Sequence, residues 1–404
     1  MRILITSLID FKKTTHSRPH QFIKYLAKNH EVTALCLNAW WIRKEDGTKL
    51  YGEDYYNWYF EDILQKVKVI YLTNRRISPV IQEITSPITI GSLLKKIDAE
   101  SFDVYINSNA PISGYAVTKY MKHRGIPTIF DIADDLPRRF RTSLYVPSPL
   151  RPLSGLIGRW MLRENIKLAT KITFITKALK DSYNFPDDKS VHIPNGVDTE
   201  LFHAHPSRLS RKQLGIEQDF VLGFVGTLID WIDFEPVFAA IRELSMKHEI
   251  PNLKMLVVGG EGRLQENKDL ARKYGIEDRI IFTGTTPYTQ GPKDISCMDV
   301  CLICRNPTTD SHNALPLKLF EYMACEKPVI STPLAGVKEA VGDRVLYASN
   351  AEEFKERVLE LYHNEELRKE LGEEGRRFVE QNYRWEEICR RFEEVLIEAK
   401  NEKN

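Results

Sequence analysis

The sequence predicts an α/β protein made of two doubly wound domains. At 404 residues the chain is longer than one typical hydrophobic core can organise, so two domains are expected. Strand-like apolar runs alternate with helical patterns along nearly the whole length, which is typical of parallel sheets covered by helices. The predicted strands are Ile3–Ser7, Val32–Leu37, Val67–Leu72, Val104–Asn107, Thr128–Asp131 and Ile172–Thr176 in the first half, and Phe220–Gly226, Lys254–Gly259, Ile280–Gly284, Val300–Cys304 and Val329–Thr332 in the second.

The change of domain is predicted in the segment 192–198, where Pro194, Asn195 and Gly196 interrupt the regular pattern. The first domain then comprises residues 1–197 and the second residues 198–384. Open α/β sheets bind their ligands beyond the carboxyl ends of the strands. The loops that follow the strands are therefore where functional side chains are expected.

Composition excludes several function classes. A net charge of +1 creates no overall field that would attract nucleic acid. The sequence has no run of about 18 apolar residues, so no membrane-spanning helix is predicted. Met1–Ser7 is predicted to be a short first strand without a long apolar region behind it, so no signal peptide is expected. The six cysteines lie mostly in apolar stretches, which favours reduced, buried thiols and a cytoplasmic protein.

Cys301 and Cys304 have the spacing of a zinc-binding pair. They lie in an apolar run that is predicted to be extended, and an extended strand points these two sulfurs to opposite faces. No second pair follows at ligand spacing, so we expect no metal site.

The most informative stretch, residues 313–332, predicts a helix followed by a buried strand. Pro316 suits the first helical position, where its missing N–H costs nothing. The apolar residues that recur at helical spacing are Leu317, Phe320, Met323 and Ala324. Lys318, Glu321 and Cys325 fall on the other side of this helix.

Lys318 places a cation in the first helical turn, where the helix dipole disfavours it. A bound anion would remove this conflict, and helix N–H groups with one lysine make a diphosphate site. Glu321, one turn deeper, could accept hydrogen bonds from vicinal hydroxyls. The alternative is a surface Lys–Glu pair, which contributes only about 0.2–0.5 kcal/mol.

This stretch resembles the nucleotide-sugar signature of the retaining glycosyltransferases of family 4, which have the GT-B fold. The resemblance rests on Pro316-x-Lys318-x-x-Glu321, on the Lys-Pro-Val-Ile-Ser-Thr of residues 327–332, and on the Pro-Asn-Gly-Val-Asp of residues 194–198. It implies two Rossmann-like domains facing a cleft. Residues 1–197 would bind the acceptor and residues 198–384 the nucleotide sugar. A last helix, within residues 385–404, would pack back on the first domain with Trp385 as its anchor.

The resemblance also implies roles for individual residues. Glu321 would hold the ribose of the donor nucleotide and Lys318 its diphosphate. Asn313 stands where most members have a first glutamate near the sugar; an amide can still hydrogen-bond a hydroxyl but carries no charge. Glu326 replaces the usual glycine before the second part of the signature.

The loop after the strand Phe220–Gly226 departs from the family. Thr227 and Ile232 stand where most members carry an arginine and a lysine on the diphosphate. Lys318 and Arg305 must then carry more of the charge. Trp231 and Asp233 look like the substitutes of a subgroup of cell-surface polysaccharide enzymes of the teichuronic-acid type. Alternatively, Trp231 simply packs over the next helix.

Three glycines are predicted to let a ligand approach the backbone closely. Gly226 ends a strand, and Gly260 lies in the Gly-rich turn after another strand. Gly336 lies at the start of a helix and would admit phosphates to its N–H groups.

On the first domain the predicted acceptor-side residues are Arg18, His20, Asp134 and Asp135. Arg18 and His20 open the first helix, and the alternative for both is a solvated helix start. Asp134 and Asp135 follow a strand, so their carboxylates emerge at the end of the sheet where ligands bind. Asp134 is the candidate for orienting the acceptor, and helix capping by the two carboxylates is the alternative. Ala133 stands where many relatives have a histidine.

Two further segments have compositions that are typical of binding surfaces. Residues 138–167 interleave basic and apolar side chains, a pattern typical of segments that lie on anionic lipid; a buried stripe with a solvated basic face explains it equally well. Residues 38–60 are dense in aromatic side chains, which favours contact with a sugar or a lipid headgroup, or a local core under a long loop.

The resemblance therefore implies a retaining hexosyltransferase. It would move a hexose from a nucleoside diphosphate sugar to a glycan or lipid-linked hydroxyl acceptor, in surface glycan, glycolipid or polysaccharide synthesis. No cofactor or metal is expected, and Lys318, Glu321 and Asp134 are the candidate catalytic residues. The expected location is cytoplasmic, with peripheral attachment to the inner membrane face left open. The alternatives are a nucleotide-sugar epimerase of the same fold and a nucleotide-sugar-binding protein without catalysis.

Overall fold

The chain folds into two α/β units. The structure is a computed structural model that describes residues 1–14, 16–39, 61–142, 148–260, 262–306 and 311–402. Unit 1 comprises Met1–Pro194 and Glu386–Asn404, and unit 2 comprises Asn195–Trp385. The division falls inside the segment 192–198.

Unit 1 contains a parallel sheet with the strand order β3-β2-β1-β4-β5-β6-β7 in the part of the chain that the structure describes. Its strands are β1 (Arg2–Ser7), β2 (Glu31–Cys36), β3 (Lys68–Tyr71), β4 (Val104–Ser108), β5 (Thr128–Ile132), β6 (Lys171–Phe174) and β7 (Ser190–His192). Its helices are α1 (Arg18–Leu26), α2 (Glu61–Leu64), α3 (Pro79–Lys96), α4 (Ser113–His123), α5 (Leu136–Thr142), α6 (Arg151–Leu168) and α7 (Lys177–Tyr183).

Unit 2 contains a second parallel sheet with the order β10-β9-β8-β11-β12-β13. Its strands are β8 (Phe220–Val225), β9 (Leu253–Val258), β10 (Ile280–Gly284), β11 (Val300–Ile303), β12 (Val329–Ser331) and β13 (Leu346–Tyr347). Its helices are α8 (Arg208–Leu214), α9 (Glu235–Met246), α10 (Leu264–Tyr274), α11 (Gly291–Ser296), α12 (Leu317–Ala324), α13 (Ala335–Val341), α14 (Ala351–His363) and α15 (Glu365–Asn382).

The chain then returns to unit 1 through α16 (Trp385–Asn401). Single 3-10 turns connect several elements, at Ala99–Ser101, Ser148–Leu150, Asp187–Lys189, Glu277–Arg279, Tyr288–Gln290 and Gly342–Arg344.

The predicted fold class is confirmed: both sheets are parallel and each is interleaved with helices. Every predicted strand is present, with ends that differ by at most two residues. Only β7 and β13 were not predicted, because these edge strands have only three and two residues. The central strands are buried on both faces, as parallel sheets require.

One local prediction was wrong. Pro316 is not the first helical residue of α12 but precedes it, with an extended backbone at ψ 135°. Helix α15 ends at Asn382, and the last helix, α16, begins at Trp385. The break is where Val197 and Arg384 form a parallel bridge, within unit 2.

Helix α16 packs on unit 1 through an apolar face. The ring of Phe392 stacks on that of Phe22 with centroids 4.0 Å apart, and His30 Nε2 lies 2.6 Å from a carboxylate oxygen of Glu393. Trp385, at the start of the helix, is buried and belongs to unit 2; its backbone N–H donates to the carbonyl of Val197 in the same unit, so this bond is not part of the contact with unit 1.

All six cysteines are buried, as predicted, and none is in a disulfide. In the described residues, no helix is both long and apolar enough to cross a membrane.

Candidate functional site

Lys318, the second residue of α12, directs its ammonium group toward the carboxyl end of β8. Its Nζ lies 3.7 Å from the ring centroid of Phe224, and a β-carbon added to Gly226 would lie 2.6 Å from it. The lysine ammonium therefore lies over the backbone of Gly226, a residue that has no side chain. This brings together two residues that the sequence predicted for donor binding.

The half-buried position of Lys318 lowers its pKa to about 7. Burial is the main cause and the positive charge of Arg305 adds to it, whereas Glu321 and Cys304 act in the opposite direction. In the described residues no carboxylate lies within ion-pair distance of Lys318. An anion bound here would supply the missing negative charge.

Glu321 lies one turn further along α12 and is also half-buried. The hydroxyl of Tyr288 donates to its Oε1 at 3.3 Å. Burial raises the pKa of this carboxyl to about 7, and Lys318 and Tyr288 oppose that rise. Tyr288 follows β10 and was not predicted from the sequence, because nothing in its local pattern marks it.

Tyr322 fixes α12 to the end of β8. Its ring is fully buried, and its hydroxyl accepts a hydrogen bond of 2.8 Å from the backbone N–H of Val225. Sequence reasoning missed this residue, although a tyrosine beside the core face of a helix needs a partner for its hydroxyl once it is buried. The bond sets the distance between Lys318 and Gly226.

Glycines bring the ends of β8, β9 and β10 into direct backbone contact. The N–H of Gly226 donates to Val258 O, and the N–H of Gly259 donates to Gly284 O, each at 2.8 Å. A β-carbon on Gly259, whose φ is +145°, would overlap the carbonyl of Gly226. One on Gly260 would lie 3.0 Å from the α-carbon of Gly284. Gly226 and Gly260 were predicted, and Gly259 and Gly284 complete the same backbone contact.

The loop after β8 runs beside the end of β11. Ile232 forms an antiparallel bridge with Arg305, and the guanidinium of Arg305 lies 5.7 Å from the ring centroid of Trp231. The partly buried Trp231 ring also packs against the core of unit 2. Arg305 is thus placed close enough to Lys318 to lower the pKa of that lysine.

The remaining predicted donor residues occupy neighbouring loops. Asp233 accepts a 3.0 Å hydrogen bond from the backbone N–H of Glu235 at the start of α9, which is a capping role. Thr227 is half-buried. Asn313 is buried just before α12. The N–H of Gly336, in α13, points to the carbonyl of His312 at 3.4 Å.

Arg18 is buried in unit 1 and bound to a carboxylate. It makes a bidentate pair with Asp131, with Nη2 at 2.8 Å from Oδ1, and its Nη1 donates to the carbonyl of Pro194 at 2.7 Å. The solvated helix start considered for this residue is therefore wrong. The geometry favours a structural role, because Asp131 is fully buried and needs this cation.

His20 is equally buried. Its Nε2 lies 3.0 Å from the carbonyl of Phe11, and its Nδ1 lies 3.0 Å from the hydroxyl of Ser17. Burial lowers the pKa of this imidazole to about 4, so it is neutral at pH 7. A solvated helix start is wrong for His20 as well.

The two adjacent aspartates differ. Asp135 is buried; it accepts from the backbone N–H of Arg138 at the start of α5 and from the hydroxyl of Tyr183. The capping alternative thus describes Asp135. Asp134 is exposed and accepts from Asn109 and Arg139, each at 3.0 Å. Only Asp134 remains accessible to a ligand.

The aromatic-rich residues 38–60 lie almost wholly outside the described residues. In the described part of the chain, no three histidine, cysteine, aspartate or glutamate side chains are grouped as metal ligands would be.

Known families match both halves of the chain. Residues 19–201 match the family described as Glycosyltransferase Family 4, and residues 207–378 match Glycosyl transferases group 1. Between them the two matches span most of the chain.

A solved structure shows the same fold. The chain superposes on Alr3699/HepE from Anabaena, solved with UDP, with a TM-score of 0.72 over 98% of this chain and 100% of that one, at 16% identity. The chain belongs to the GT-B glycosyltransferases. The predicted family is confirmed at this level.

Two proteins of similar sequence have names that describe glycosyltransferases. A D-inositol 3-phosphate glycosyltransferase from Stackebrandtia nassauensis is 28% identical over 251 residues, 60% of this chain and 55% of that protein. The putative teichuronic acid biosynthesis glycosyltransferase TuaH from Bacillus subtilis is 29% identical over 148 residues, 36% of this chain and 35% of that protein. The chain thus spans little more than half of the first relative's length and about a third of the second's.

Proposed function

We propose that this GT-B glycosyltransferase moves a hexose from a nucleoside diphosphate sugar to a hydroxyl acceptor with retention at the anomeric carbon. One observation carries the proposal. The ammonium of Lys318 is held over Gly226 and against Phe224, without a carboxylate partner in the described residues. A half-buried cation of this kind is stabilised by an anionic ligand such as a diphosphate.

The donor would lie on unit 2. Lys318 and Arg305 would neutralise the diphosphate, and the bare backbone at Gly226 would let it approach closely, with Gly260 in the neighbouring turn. Glu321 would accept hydrogen bonds from the ribose hydroxyls, oriented by the hydroxyl of Tyr288. Asn313 would lie near the sugar. The UDP-bound and UDP-glucose-bound neighbours of the same fold support a nucleotide-sugar ligand.

Catalysis would come mainly from electrostatic stabilisation of the leaving diphosphate. Bond cleavage at the anomeric carbon moves negative charge onto that group, and fixed cations near it lower the barrier. Of the two predicted acceptor-side aspartates, Asp135 is buried and Asp134 is exposed, so Asp134 would orient the acceptor. The leaving phosphate itself could take the acceptor proton, so no side-chain base is assigned.

The proposal includes no metal and no cofactor. Lys318, Arg305 and backbone N–H groups would neutralise the charge of the diphosphate in place of a divalent cation. The name of TuaH, a putative teichuronic acid biosynthesis glycosyltransferase, supports a role in surface polysaccharide synthesis. The proposed location is the cytoplasmic side of the membrane. The acceptor would be a glycan or a lipid-linked glycan, which fits the basic segment 138–167.

The test is thermal unfolding of the purified protein with UDP, GDP, ADP and dTDP. A ligand present at about 100 times its dissociation constant adds about 2.7 kcal/mol to the free energy of unfolding. We expect one nucleoside diphosphate to stabilise the wild type and not a Lys318→Ala variant. Lys268→Ala, which removes an exposed lysine of α10, is the matched control and should respond as the wild type does.

Product analysis separates the proposal from its rivals. With the matching nucleotide sugar, a transferase releases nucleoside diphosphate and an α- or β-linked product whose anomeric configuration NMR can read. Release of an altered nucleotide sugar without acceptor would identify an epimerase. Nucleotide binding without turnover on any acceptor or water would identify a binding protein. A lack of response to all four nucleotides would reject the donor site.

A further inference from the structure

Asn109 and Asp134 meet at the carboxyl ends of two neighbouring strands of unit 1. Asn109 directly follows β4 and Asp134 follows β5, and these strands pair in parallel with Ser108 opposite Asp131. The amide Nδ2 of Asn109 donates a hydrogen bond to Oδ2 of Asp134 at 3.0 Å. The proposed function gives Asp134 the task of orienting the acceptor, so the partners of this carboxylate decide how it is presented.

The carboxylate of Asp134 is held at one of its two oxygens. The guanidinium of Arg139, on α5, donates through Nη1 to the same Oδ2, also at 3.0 Å. Within the described ranges of the chain, Oδ1 accepts no hydrogen bond. The side chain of Asp134 is 52% exposed. Two donors on Oδ2 therefore restrict the rotation of the carboxylate and leave Oδ1 open to a ligand.

Asn109 combines two unfavourable features. Its backbone is left-handed, with φ +56°, a conformation that few residues other than glycine adopt, although asparagine is among those that tolerate it. Its amide Oδ1 is buried and has no hydrogen-bond partner among the described residues, which lowers stability. Turning the amide over would be worse, because Oδ1 would then face the carboxylate of Asp134. The bond from Nδ2 to Asp134 therefore fixes the orientation of this side chain.

Buried side chains hold the loop that carries Asn109. A β-carbon on Gly114 would overlap the amide of Asn107, so the first turn of α4 packs directly on that amide. Such a fixed setting is what allows a left-handed residue to persist, and it is typical of sites where a side chain must be aimed. The bonds to the loop run from Ala110 N to Asn107 Oδ1 (2.9 Å), from Asn165 Nδ2 to Pro111 O (3.3 Å), and from Ile112 N and Ser113 N to Glu83 Oε1 (2.8 and 3.0 Å).

We propose that Asn109 and Arg139 are positioning residues that hold Oδ2 of Asp134 so that Oδ1 accepts a hydrogen bond from the acceptor hydroxyl. This inference rests on the proposed function and deepens it, because it names the groups that aim the acceptor carboxylate. A purely structural role explains less. The unfavourable backbone and the unpaired Oδ1 of Asn109 are offset by one described side-chain bond, and that bond ends on an exposed carboxylate.

The test is steady-state transfer by Asn109→Gly, which keeps the left-handed backbone and removes the amide. The donor is the nucleotide sugar whose nucleoside diphosphate stabilises the wild type. The acceptor probes are the α- and β-p-nitrophenyl glycosides of glucose, galactose, mannose and N-acetylglucosamine. We expect kcat/KM for the acceptor to fall by about tenfold or more, because a hydrogen bond to a charged group is lost and the carboxylate can rotate. The KM for the donor and the nucleotide response should stay at wild-type values.

Asn184→Gly is the matched control, because Asn184 has the same left-handed backbone, with φ +50°, at the exposed end of α7. The two glycine variants should change the unfolding temperature alike, and only Asn109→Gly should lose transfer. Asn109→Asp should transfer even less, since it sets a second carboxylate against Asp134. Arg139→Ala should also reduce kcat/KM for the acceptor, and Arg139→Lys, which keeps a cation, should recover most of it. Arg357→Ala, at an exposed ion pair on α14, should have no effect.

The outcomes separate this inference from the proposed function. Wild-type kcat/KM for the acceptor in Asn109→Gly would overturn the inference, and so would an equal loss in Asn184→Gly. A loss of transfer that comes with a weaker nucleotide response or a lower unfolding temperature than in Asn184→Gly would make Asn109 a structural residue instead. A wild-type protein that neither responds to a nucleoside diphosphate nor forms any transfer product would reject the proposed function and this inference with it.

Discussion

The ammonium of Lys318 lies over Gly226, so close that a β-carbon at the glycine would come within 2.6 Å of Nζ. The φ of Gly226 is +134°, a conformation that other residues rarely adopt. The lysine and the glycine therefore depend on each other. Lys318 can reach this position only above a residue without a side chain.

Gly226→Ala should abolish stabilisation by the nucleoside diphosphate and lower the free energy of unfolding by about 1–3 kcal/mol, because it combines backbone strain with displacement of Lys318. Both effects can be read from thermal unfolding with and without nucleotide. Gly215→Ala is the control, since that glycine also has a positive φ of +68° but open space around it. It should cost stability without changing the nucleotide response. Equal nucleotide responses in the two variants would count against the site.

Nucleotide affinity should depend on the protonation of Lys318. Its pKa is lowered to about 7 by burial, so between pH 7 and pH 9 the free protein progressively loses this proton. Nucleotide binding must then restore it, and the association constant should fall by up to about tenfold per pH unit. Lys318→Arg keeps its charge throughout and should give a flat profile. Calorimetric titration across this range would show the difference, and parallel profiles would contradict it.

The stability of the ligand-free protein should change with pH for the same reason. Because the pKa of Lys318 is lower in the folded than in the unfolded chain, the unfolded chain binds more protons above about pH 7. The destabilisation caused by burying the charged ammonium is therefore largest below pH 7, and it decreases as the pH rises toward about 10. Relative to Lys318→Met, the free energy of unfolding of the wild type should rise over this window. Denaturant titrations at several pH values would measure it, and a difference that stays constant would argue against a perturbed lysine.

Glu326→Gly should stabilise the protein by about 1 kcal/mol. Glu326 has a left-handed backbone with φ +57°, which accounts for the glycine that most family members carry at this position. Glu370→Gly, in the interior of α15, should instead lower the free energy of unfolding by about 1 kcal/mol. Chemical denaturation of the two variants checks the contrast. Loss of stability in both would show that Glu326 makes a compensating contact.

Arg18→Ala should lower the free energy of unfolding by about 3–5 kcal/mol, because Asp131 would remain as a buried charge without its partner. The double variant Arg18→Met with Asp131→Leu should recover much of this loss. Arg390→Ala, at an exposed ion pair on α16, should change little. If the refolded double variant loses transfer to the acceptor while it still binds nucleotide, Arg18 contacts the acceptor after all.

The fold was predictable because its main signal is local. Runs such as Ile3–Ser7 and Phe220–Gly226 are apolar over the length of a buried parallel strand, and helical patterns separate them. The edge strands β7 and β13 were not predicted because they have only three and two residues, all of them half-buried. They are strands because each pairs with a neighbouring strand, and this pairing cannot be seen in the sequence.

The site was predictable only in part. Lys318 and Glu321 stand in a recognisable motif, but the partners that position them come from distant segments: Tyr288 and Val225 are 33 and 97 residues away from the side chains that they bond. Arg18 shows the reverse. Its place at a helix start suggested ligand contact, yet Asp131, 113 residues away, binds it in the interior. Equally, α3 is apolar around most of its circumference, and only packing decides that Ile90 is covered while Ile88 is not.

The return of α16 to unit 1 has a consequence for the order in which the protein can fold during synthesis. Unit 2 is one continuous stretch, Asn195–Trp385, and can close as soon as that stretch has left the ribosome. Unit 1 begins first but finishes last, because the ring of Phe22 has no stacking partner until Phe392 has been made. The amino-terminal sheet therefore remains incomplete, with the face of α1 that contacts α16 uncovered, while the whole of unit 2 is translated. Chaperones that hold exposed apolar surface should engage this chain during that interval and release it once α16 has docked.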